Sequence, residues 1–300
     1  GHTHKNLRPM NGPLFRRCWG FSLLLFALSC DSAESSELEP APLRLCSWNL
    51  ERLGTSGKDF RTIAALLDEH CDGAVLLEIL RENAGAPGWD QVLEELGDDW
   101  LGVRTEEPRP EKASYAEYVA VAWRKGSLEP CPGDAELSYA PDPDDRFQRE
   151  PAFGCFQTPT GFDFLLGGYH AEWDESVEVI EAEVRFLDEA VQQALEAWPD
   201  ENDLLLFGDF NLIPERLAPL TNLTLFAQGD GSTLSASGAR SRNLYDNLLV
   251  ASLSDTPELV DPAEILDLRD EAGGPSDYVR LVSDHLPLGV LLHATLPDDD

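Results

Sequence analysis

One pattern constrains this chain more than any other. Between residues 44 and 296, apolar runs of strand length alternate with segments of helical period, and the polar motifs fall at the ends of the runs. Leu43–Leu50, Gly73–Leu80, Tyr118–Trp123, Glu150–Gln157, Phe162–Ala171, Asp203–Phe207, Leu244–Val250 and Leu286–Leu292 read as strands. Phe60–His70 puts Ile63, Leu66 and Leu67 on one side of a helix, and Asp90–Leu96 reads as another. Ser176–Trp198 is the longest helix expected, with Val177, Ile180, Val184, Leu187 and Val191 at three- and four-residue steps. No repeat or linker breaks the stretch, so 44–296 reads as one domain in which strands outnumber helices. In such a domain a rigid strand aims a side chain and the following loop admits a substrate.

Composition narrows the class. Of 300 residues, 42% are hydrophobic and 9% aromatic, which suits a packed core and excludes a disordered chain, a peptide hormone or a disulfide mini-scaffold. No apolar run reaches the ~18 residues that a membrane-spanning helix needs. There are 22 basic and 56 acidic residues, a net charge of −34. None of the acids lies in residues 1–30, which hold Lys5, Arg8, Arg16 and Arg17, so residues 31–300 carry 18 bases against 56 acids, a net −38. A basic patch that would hold nucleic acid by charge alone is not visible. Such acidity favours solubility or a saline habitat and says nothing about fold.

The first thirty residues read as an address. Met10, the single methionine, reads as the start; Arg16-Arg17, the apolar Phe21–Leu28 and the small Ser29-Cys30 then form a signal-peptide pattern. Export is the expectation, to a bacterial cell envelope or beyond it. Leu28-Ser29-Cys30 resembles a bacterial lipobox, which implies a lipid on Cys30 and a membrane anchor. Ala27 departs from the usual leucine, and Ala27-Leu28-Ser29 also suits an ordinary signal peptidase. Residues 31–43 read as a flexible acidic tether and 297–300 as an acidic tail. Cys18 leaves with the leader, which leaves Cys46, Cys71, Cys131 and Cys155 in the domain. Export would let them pair, and Cys131 with Cys155 is the bridge expected; Cys46 and Cys71 equally suit buried thiols in or beside strands. No C-x-x-C spacing suggests zinc.

The polar motifs follow in order: Trp48-Asn49, Glu78, Arg149-Glu150-Pro151, His170, Gly208-Asp209-Phe210-Asn211, Tyr245-Asp246-Asn247 and Ser283-Asp284-His285. Singly, each has a plain structural explanation: a capped turn, a satisfied core histidine, an Asx turn, a helix cap. Glu78 is the least ordinary, because a carboxylate inside Val75-Leu76-Leu77-Glu78-Ile79-Leu80 is costly unless paired or metal-bound.

Taken in order, the set resembles the endonuclease/exonuclease/phosphatase superfamily, the deoxyribonuclease I-like fold, over residues 44–294. The resemblance implies an α+β, four-layer α/β/β/α sandwich of two packed sheets flanked by helices. It implies hydrolysis of phosphoester bonds with a divalent metal, usually Mg²⁺, with Mn²⁺ or Ca²⁺ as substitutes. By match, Asn49 and Glu78 would sit at the metal with Asp284 as a further acid. His285 would be the catalytic histidine, oriented by Asp246. Asp209 and Asn211 would handle the attacking water and the phosphate, and His170 would contact a phosphate oxygen. The general base is left between His285 and Asp209. Hard oxygen donors suit Mg²⁺, and an Asp–His pair fixes the imidazole tautomer.

Two positions stand apart. Leu77 replaces the glutamine that usually precedes the metal glutamate. Glu51 matches an acid that abasic-site endonucleases place near the metal; it is either an additional ligand or an exposed strand-end acid.

Substrate is a separate question. Ser114-Tyr115-Ala116-Glu117 resembles the segment through which deoxyribonuclease I contacts the DNA backbone by a tyrosine, with Glu117 matching the carboxylate that orients His170. Gln148–Ala152 resembles the segment whose arginine, here Arg149, faces the groove, and Ser241–Asp246 resembles its counterpart. Surface packing and a strand-edge salt bridge are the plainer alternatives for Tyr115 and Arg149. The expectation is an endonuclease acting on DNA, with Arg149, Arg240 and Arg242 as candidates to line a local basic cleft. The alternatives are a sphingomyelinase-like or inositol-phosphate phosphatase and, more remotely, a non-catalytic surface binding module. A monomer is expected.

Overall fold

The computed structural model describes residues 41–55, 57–81, 88–110, 115–173, 176–227, 229–251 and 261–294. Met10, the leader, Cys30, the tether up to residue 40 and the acidic tail lie outside them. In chain order the elements are β1 (Leu43–Leu53), α1 (Phe60–His70), β2 (Gly73–Leu80), α2 (Gly88–Leu96), β3 (Trp100–Arg104), β4 (Glu117–Arg124), β5 (Glu129–Pro130), β6 (Ser138–Tyr139), β7 (Ala152–Gln157) and β8 (Asp163–His170). There follow α3 (Val177–Val184), α4 (Leu187–Ala197), β9 (Leu204–Asp209), α5 (Pro214–Leu217), a 3₁₀ turn (Ala218–Leu220), β10 (Thr224–Leu225), β11 (Asp246–Ala251), β12 (Glu264–Ile265), α6 (Pro275–Leu281) and β13 (Leu288–Leu292).

The strands form two sheets. One runs β12-β13-β1-β2-β4-β3; the other runs β10-β11-β9-β8-β7-β5, with β6 also on β7. Each sheet has one parallel pair at its centre, β1 with β2 and β8 with β9, and every other pairing is antiparallel. The expected four-layer sandwich is what forms.

Strand alternation sorts the apolar residues into three layers. Leu45, Val75, Leu77, Val119 and Val121 face Phe164, Leu166, Leu205, Phe207 and Leu248 between the sheets. Cys46, Trp48, Leu76 and Ala120 turn outward against Ile63 and Leu67 of α1, Trp89 and Val92 of α2 and Tyr278 of α6. Leu165, Leu204, Leu206 and Leu249 turn outward against Ile180, Val184, Leu187 and Val191 of α3 and α4. The sheets approach closely at Gly168, where an added Cβ would come within 2.4 Å of Val119. Any larger residue there would force the layers apart.

Several expectations change. Ser176–Trp198 is two helices, because the chain tightens at Arg185-Phe186 and the Phe186 N–H bonds Glu183 O at 3.1 Å. The Phe186 ring packs edge-on to Phe147 at 6.4 Å, beneath the Arg146 guanidinium. That packing outweighs the continuous helical spacing, while the apolar residues on both halves stay on one side. Strand β7 begins at Ala152 rather than Glu150; Pro151 has no N–H to give a ladder. Leu43 belongs to β1 rather than to the tether. Strand β3 and helix α6 were not expected. Cys131–Cys155 is bridged as expected, and Cys46–Cys71 is a disulfide rather than a pair of thiols.

Candidate active site

The motifs converge because of strand direction. Parallel β1 and β2 carry Asn49 and Glu78 near their C-terminal ends at one edge of the sandwich, and parallel β8 and β9 end there with His170 and Asp209. Their antiparallel neighbours begin there: Glu117 opens β4, Asp246 opens β11 and His285 precedes β13. His170, Asp209 and Asp246 lie side by side across three strands. Asn49, Glu117, His170, Asp209 and Asp246 share the alternation of the apolar residues between the sheets. They are that inner layer continued to its open end.

Glu78 breaks the rule, and a bulge makes it fit. Alternation from Val75 and Leu77 would turn Glu78 outward, but the β2–β4 register slips by one residue between Leu76 and Ile79. Glu78 takes a left-handed conformation (φ 57°), and the neighbouring strand bulges at Glu51 and Arg52 (φ 43° and 58°). Left-handed backbone costs a non-glycine residue about 1–2 kcal/mol. In return both Glu78 oxygens are held: Asn49 Nδ2 donates to Oε1 at 3.1 Å, and Arg52 N–H and the Tyr115 hydroxyl donate to Oε2 at 2.9 and 2.7 Å.

Two histidine–carboxylate pairs face each other across Asp209. His170 Nδ1 lies 2.6 Å from Glu117 Oε1, and His285 Nδ1 lies 2.8 Å from Asp246 Oδ2. Each pairing fixes the ring and turns Nε2 toward the buried Asp209 Oδ2, at 3.9 Å from His170 and 3.6 Å from His285. The same Asp209 oxygen accepts from Asn49 Nδ2 at 3.1 Å, while Oδ1 accepts the Asn211 N–H at 3.0 Å. Asn211 is itself left-handed (φ 50°), and its side chain donates to Ala171 O. Trp48 Nε1 and the Tyr278 hydroxyl both donate to His285 O, and Ser283 Oγ donates to Asn49 O. These contacts lock the Ser283–His285 segment against β1.

Electrostatics follow from crowding. Burial opposes charge on His170, but Glu117 outweighs it and the imidazole is raised above its ordinary value. Burial is likewise overcome at His285 by Asp246 and Asp209, which raise it well above. Asp209 is raised by burial and by Asp246, against the pull of both histidines. Burial would raise Glu78, yet the His170 charge and the Tyr115 and Asn49 hydrogen bonds hold it low.

The cavity over these groups measures about 630 Å³ and is lined by Glu51, Arg52, Glu78, Tyr115, Gln148, Arg149, His170, Trp173, Asp209, Asn211, Thr233, Tyr245, Asp284 and His285. No family model matches the chain. A deoxyribonuclease from Thioalkalivibrio sp. (strain K90mix) is 29% identical over 295 residues, covering 93% of this chain and 77% of the relative. A deoxyribonuclease-1-like 1 protein from Sus scrofa is 26% identical over 294 residues, covering 92% and 86%. Among solved structures, an endonuclease/exonuclease/phosphatase protein from Bacteroides vulgatus superposes with a TM-score of 0.60 at 17% identity, covering 84% of this chain and 99% of that one. D. rerio TDP2 complexed with single strand DNA product gives 0.58, also at 17% identity, covering 84% and 99%. These relatives and the shared fold support the resemblance to the endonuclease/exonuclease/phosphatase superfamily read from the sequence.

The structure brings Asn49, Glu51, Glu78, Tyr115, Glu117, Arg149, His170, Asp209, Asn211, Asp246, Asp284 and His285 to this one edge, though not in equivalent settings. Leu77, at the usual glutamine position, packs between the sheets. Tyr115 spends its hydroxyl on Glu78. Arg149 is buried: Nε reaches His170 O and Glu117, Nη1 reaches Gln148 Oε1, and Nη2 reaches Ala171 O. Arg240 and Arg242 do not line the cavity; Arg240 binds Gly231 O instead. Arg52, Thr233 and Trp173 line it without having been singled out. Arg52 had the signal of adjacency to Glu51, while Thr233 reaches the site only through its bridge to His285.

The oxygen donors at this edge are of the kind a hard divalent cation takes, and the ligand atoms of Glu78, Glu117 and His170 lie within 4.8 Å of one another. Glu51, Glu78 and Asp284 line the same cavity, and burial with the nearby charges of Glu51 and Glu78 pushes the Asp284 carboxyl up to about 6. Lys58 Nζ, 3.2 Å from Glu51, offsets one of these carboxylates. A cation bound by oxygen would relieve the remaining repulsion.

Proposed function

We propose that this chain is an exported, Mg²⁺-dependent endonuclease that hydrolyses DNA phosphodiester bonds. The observation that carries the reading is the convergence of His170–Glu117 and His285–Asp246 on Asp209, beside a Glu78 carboxylate held by Asn49. Phosphoryl transfer requires little more than an in-line nucleophile and positive charge placed against the phosphoryl oxygens.

Glu78, Asp284 and Glu51 would hold the metal, with Asn49 beside them, and it would offset charge on the phosphate. Asp209, buried and raised, takes the proton of the attacking water; Asn49 and the Asn211 N–H aim its two oxygens. His170 and His285, both held toward the protonated form, direct Nε2 into the cavity and stabilise charge on the phosphate oxygens. Arg149 holds the Ala171 carbonyl and Glu117, and so positions His170.

The relatives named as deoxyribonucleases support DNA as the substrate, and so does the single strand DNA product seen with D. rerio TDP2. Export rests on the leader pattern and suits a domain with two disulfides; a lipid on Cys30 would tether it to a membrane. The purified protein should nick plasmid DNA with Mg²⁺ and not with EDTA, and leave sphingomyelin and an inositol phosphate intact. Turnover of either of those with DNA untouched would transfer the same site to a lipid or small phosphoester. Glu78→Gln should weaken Mg²⁺ binding at least ten-fold by calorimetry.

A further inference from the structure

We propose that Trp173 is a stacking platform for an unpaired base beside the scissile phosphate. The proposal rests on the nuclease reading and names the form of nucleic acid the site takes.

Among the described residues, three large apolar side chains are exposed: Trp173 at 68%, Leu101 at 45% and Val179 at 40%. Only Trp173 of these lines the catalytic cavity. Its approach is fixed at each preceding residue. His170 is paired with Glu117, and Ala171 O accepts from both Arg149 and Asn211. Glu172 N–H donates to Glu183 Oε1 at 3.0 Å, and the Glu172 side chain accepts from Gln148. Glu183 is itself buried and also accepts from Tyr169 and Gln148 N–H. An indole with only two side-chain torsions, on backbone held this firmly, gives up little entropy on contact.

Charge explains why such a platform is useful here. The chain carries a net −34, and the arginines lining the cavity are Arg52 and Arg149. Arg149 spends Nε, Nη1 and Nη2 on protein oxygens. Arginine attraction for the phosphates beside the cleaved one is therefore thin, whereas ring stacking needs no charge. Bases inside a duplex already stack on one another, so an unpaired base is the one with a free face. Leu101 and Val179 lie on β3 and α3 and do not line the cavity, which favours a single ring-on-ring contact over a membrane-inserting patch.

The test compares wild type, Trp173→Ala and Trp173→Phe on two single-stranded oligonucleotides, one normal and one abasic on both sides of the cleaved bond. Trp173→Ala should raise KM for the normal strand roughly ten-fold, with Trp173→Phe restoring most of the loss. On the abasic strand all three proteins should perform alike. Equal KM values on the normal strand would overturn the proposal while leaving the nuclease reading intact. If wild type nicks plasmid DNA but cleaves neither single strand, this proposal falls and the nuclease reading stands; if plasmid too is untouched, both fall, and a Trp173-dependent fluorescence blue shift with sphingomyelin vesicles would then assign the indole to lipid.

Discussion

Glu78 and Asp209 come from different sheets, yet both accept from the same Asn49 amide nitrogen, 3.1 Å from each. Asn49 is fully buried, and its Oδ1 accepts the Glu51 N–H. One amide therefore sets the spacing between the metal-side carboxylate and the water-side carboxylate. Asn49→Ala should lower kcat by about a hundred-fold. It should also cost about 1–3 kcal/mol, because the Glu51 N–H and both carboxylates lose a partner. Kinetics together with urea unfolding would separate the two effects, and unchanged kcat would remove Asn49 from the machinery.

The Asp246–His285 pair makes a separable claim. Asp246→Asn keeps the shape but no longer favours a proton on His285 Nδ1, so kcat should fall by roughly 10²–10⁴-fold while the fold persists. His285→Ala and Asp209→Ala should abolish hydrolysis, with near-native circular dichroism. Retained activity in either would sink the mechanism.

Far from the site, Asp72 anchors β1 to the start of β2. Its Oδ2 accepts Arg44 N–H and Nε at 3.0 and 3.1 Å, and its Oδ1 accepts Nη2 at 2.8 Å. Burial raises Asp72, but Arg44 outweighs it, aided by Arg124, and holds the carboxyl below its ordinary 3.8. A depressed folded value gives stability that is present above the unfolded value, about pH 4, and lost as pH falls through the folded one. Asp72→Asn should cost about 1–2 kcal/mol near neutral pH. The gap to wild type should close toward pH 2 in denaturation midpoints; a pH-independent gap would contradict this account.

The Cys46–Cys71 bridge ties β1 to the end of α1 across 25 residues. A loop of that size predicts a loss of about 2–4 kcal/mol when it is opened. Cys46→Ala/Cys71→Ala should therefore lower the thermal midpoint while leaving kcat within two-fold. An equal midpoint would show that the bridge adds nothing to the folded chain.

Much of this could be read from the chain alone. Helix α1 and strand β2 have the limits their hydrophobic spacing predicts, since a period of 3.6 or 2 is a local property. The expected site residues were recognisable because each closes or opens an apolar run. Their common alternation is a signal equally present in the sequence: residues two apart on a strand share a face, so Asn49 follows Leu45 and Asp209 follows Leu205 and Phe207. Sequence pattern thus determined the elements and the order of the motifs, and the family which that order resembles implied the sandwich and their gathering at one end.

Tertiary structure decided what depends on two strands at once. The bulge that turns Glu78 inward is a register slip against β4, and neither strand alone specifies a register. The break at Arg185-Phe186 depends on Phe147 from a distant loop. Arg149 is occupied rather than free because Glu117 and two carbonyls lie within reach of it. Trp173 stays exposed because no element among the described residues covers it, a fact its neighbours in the chain do not carry. Periodicity fixes which way a side chain points along its own strand; only packing fixes what it meets there.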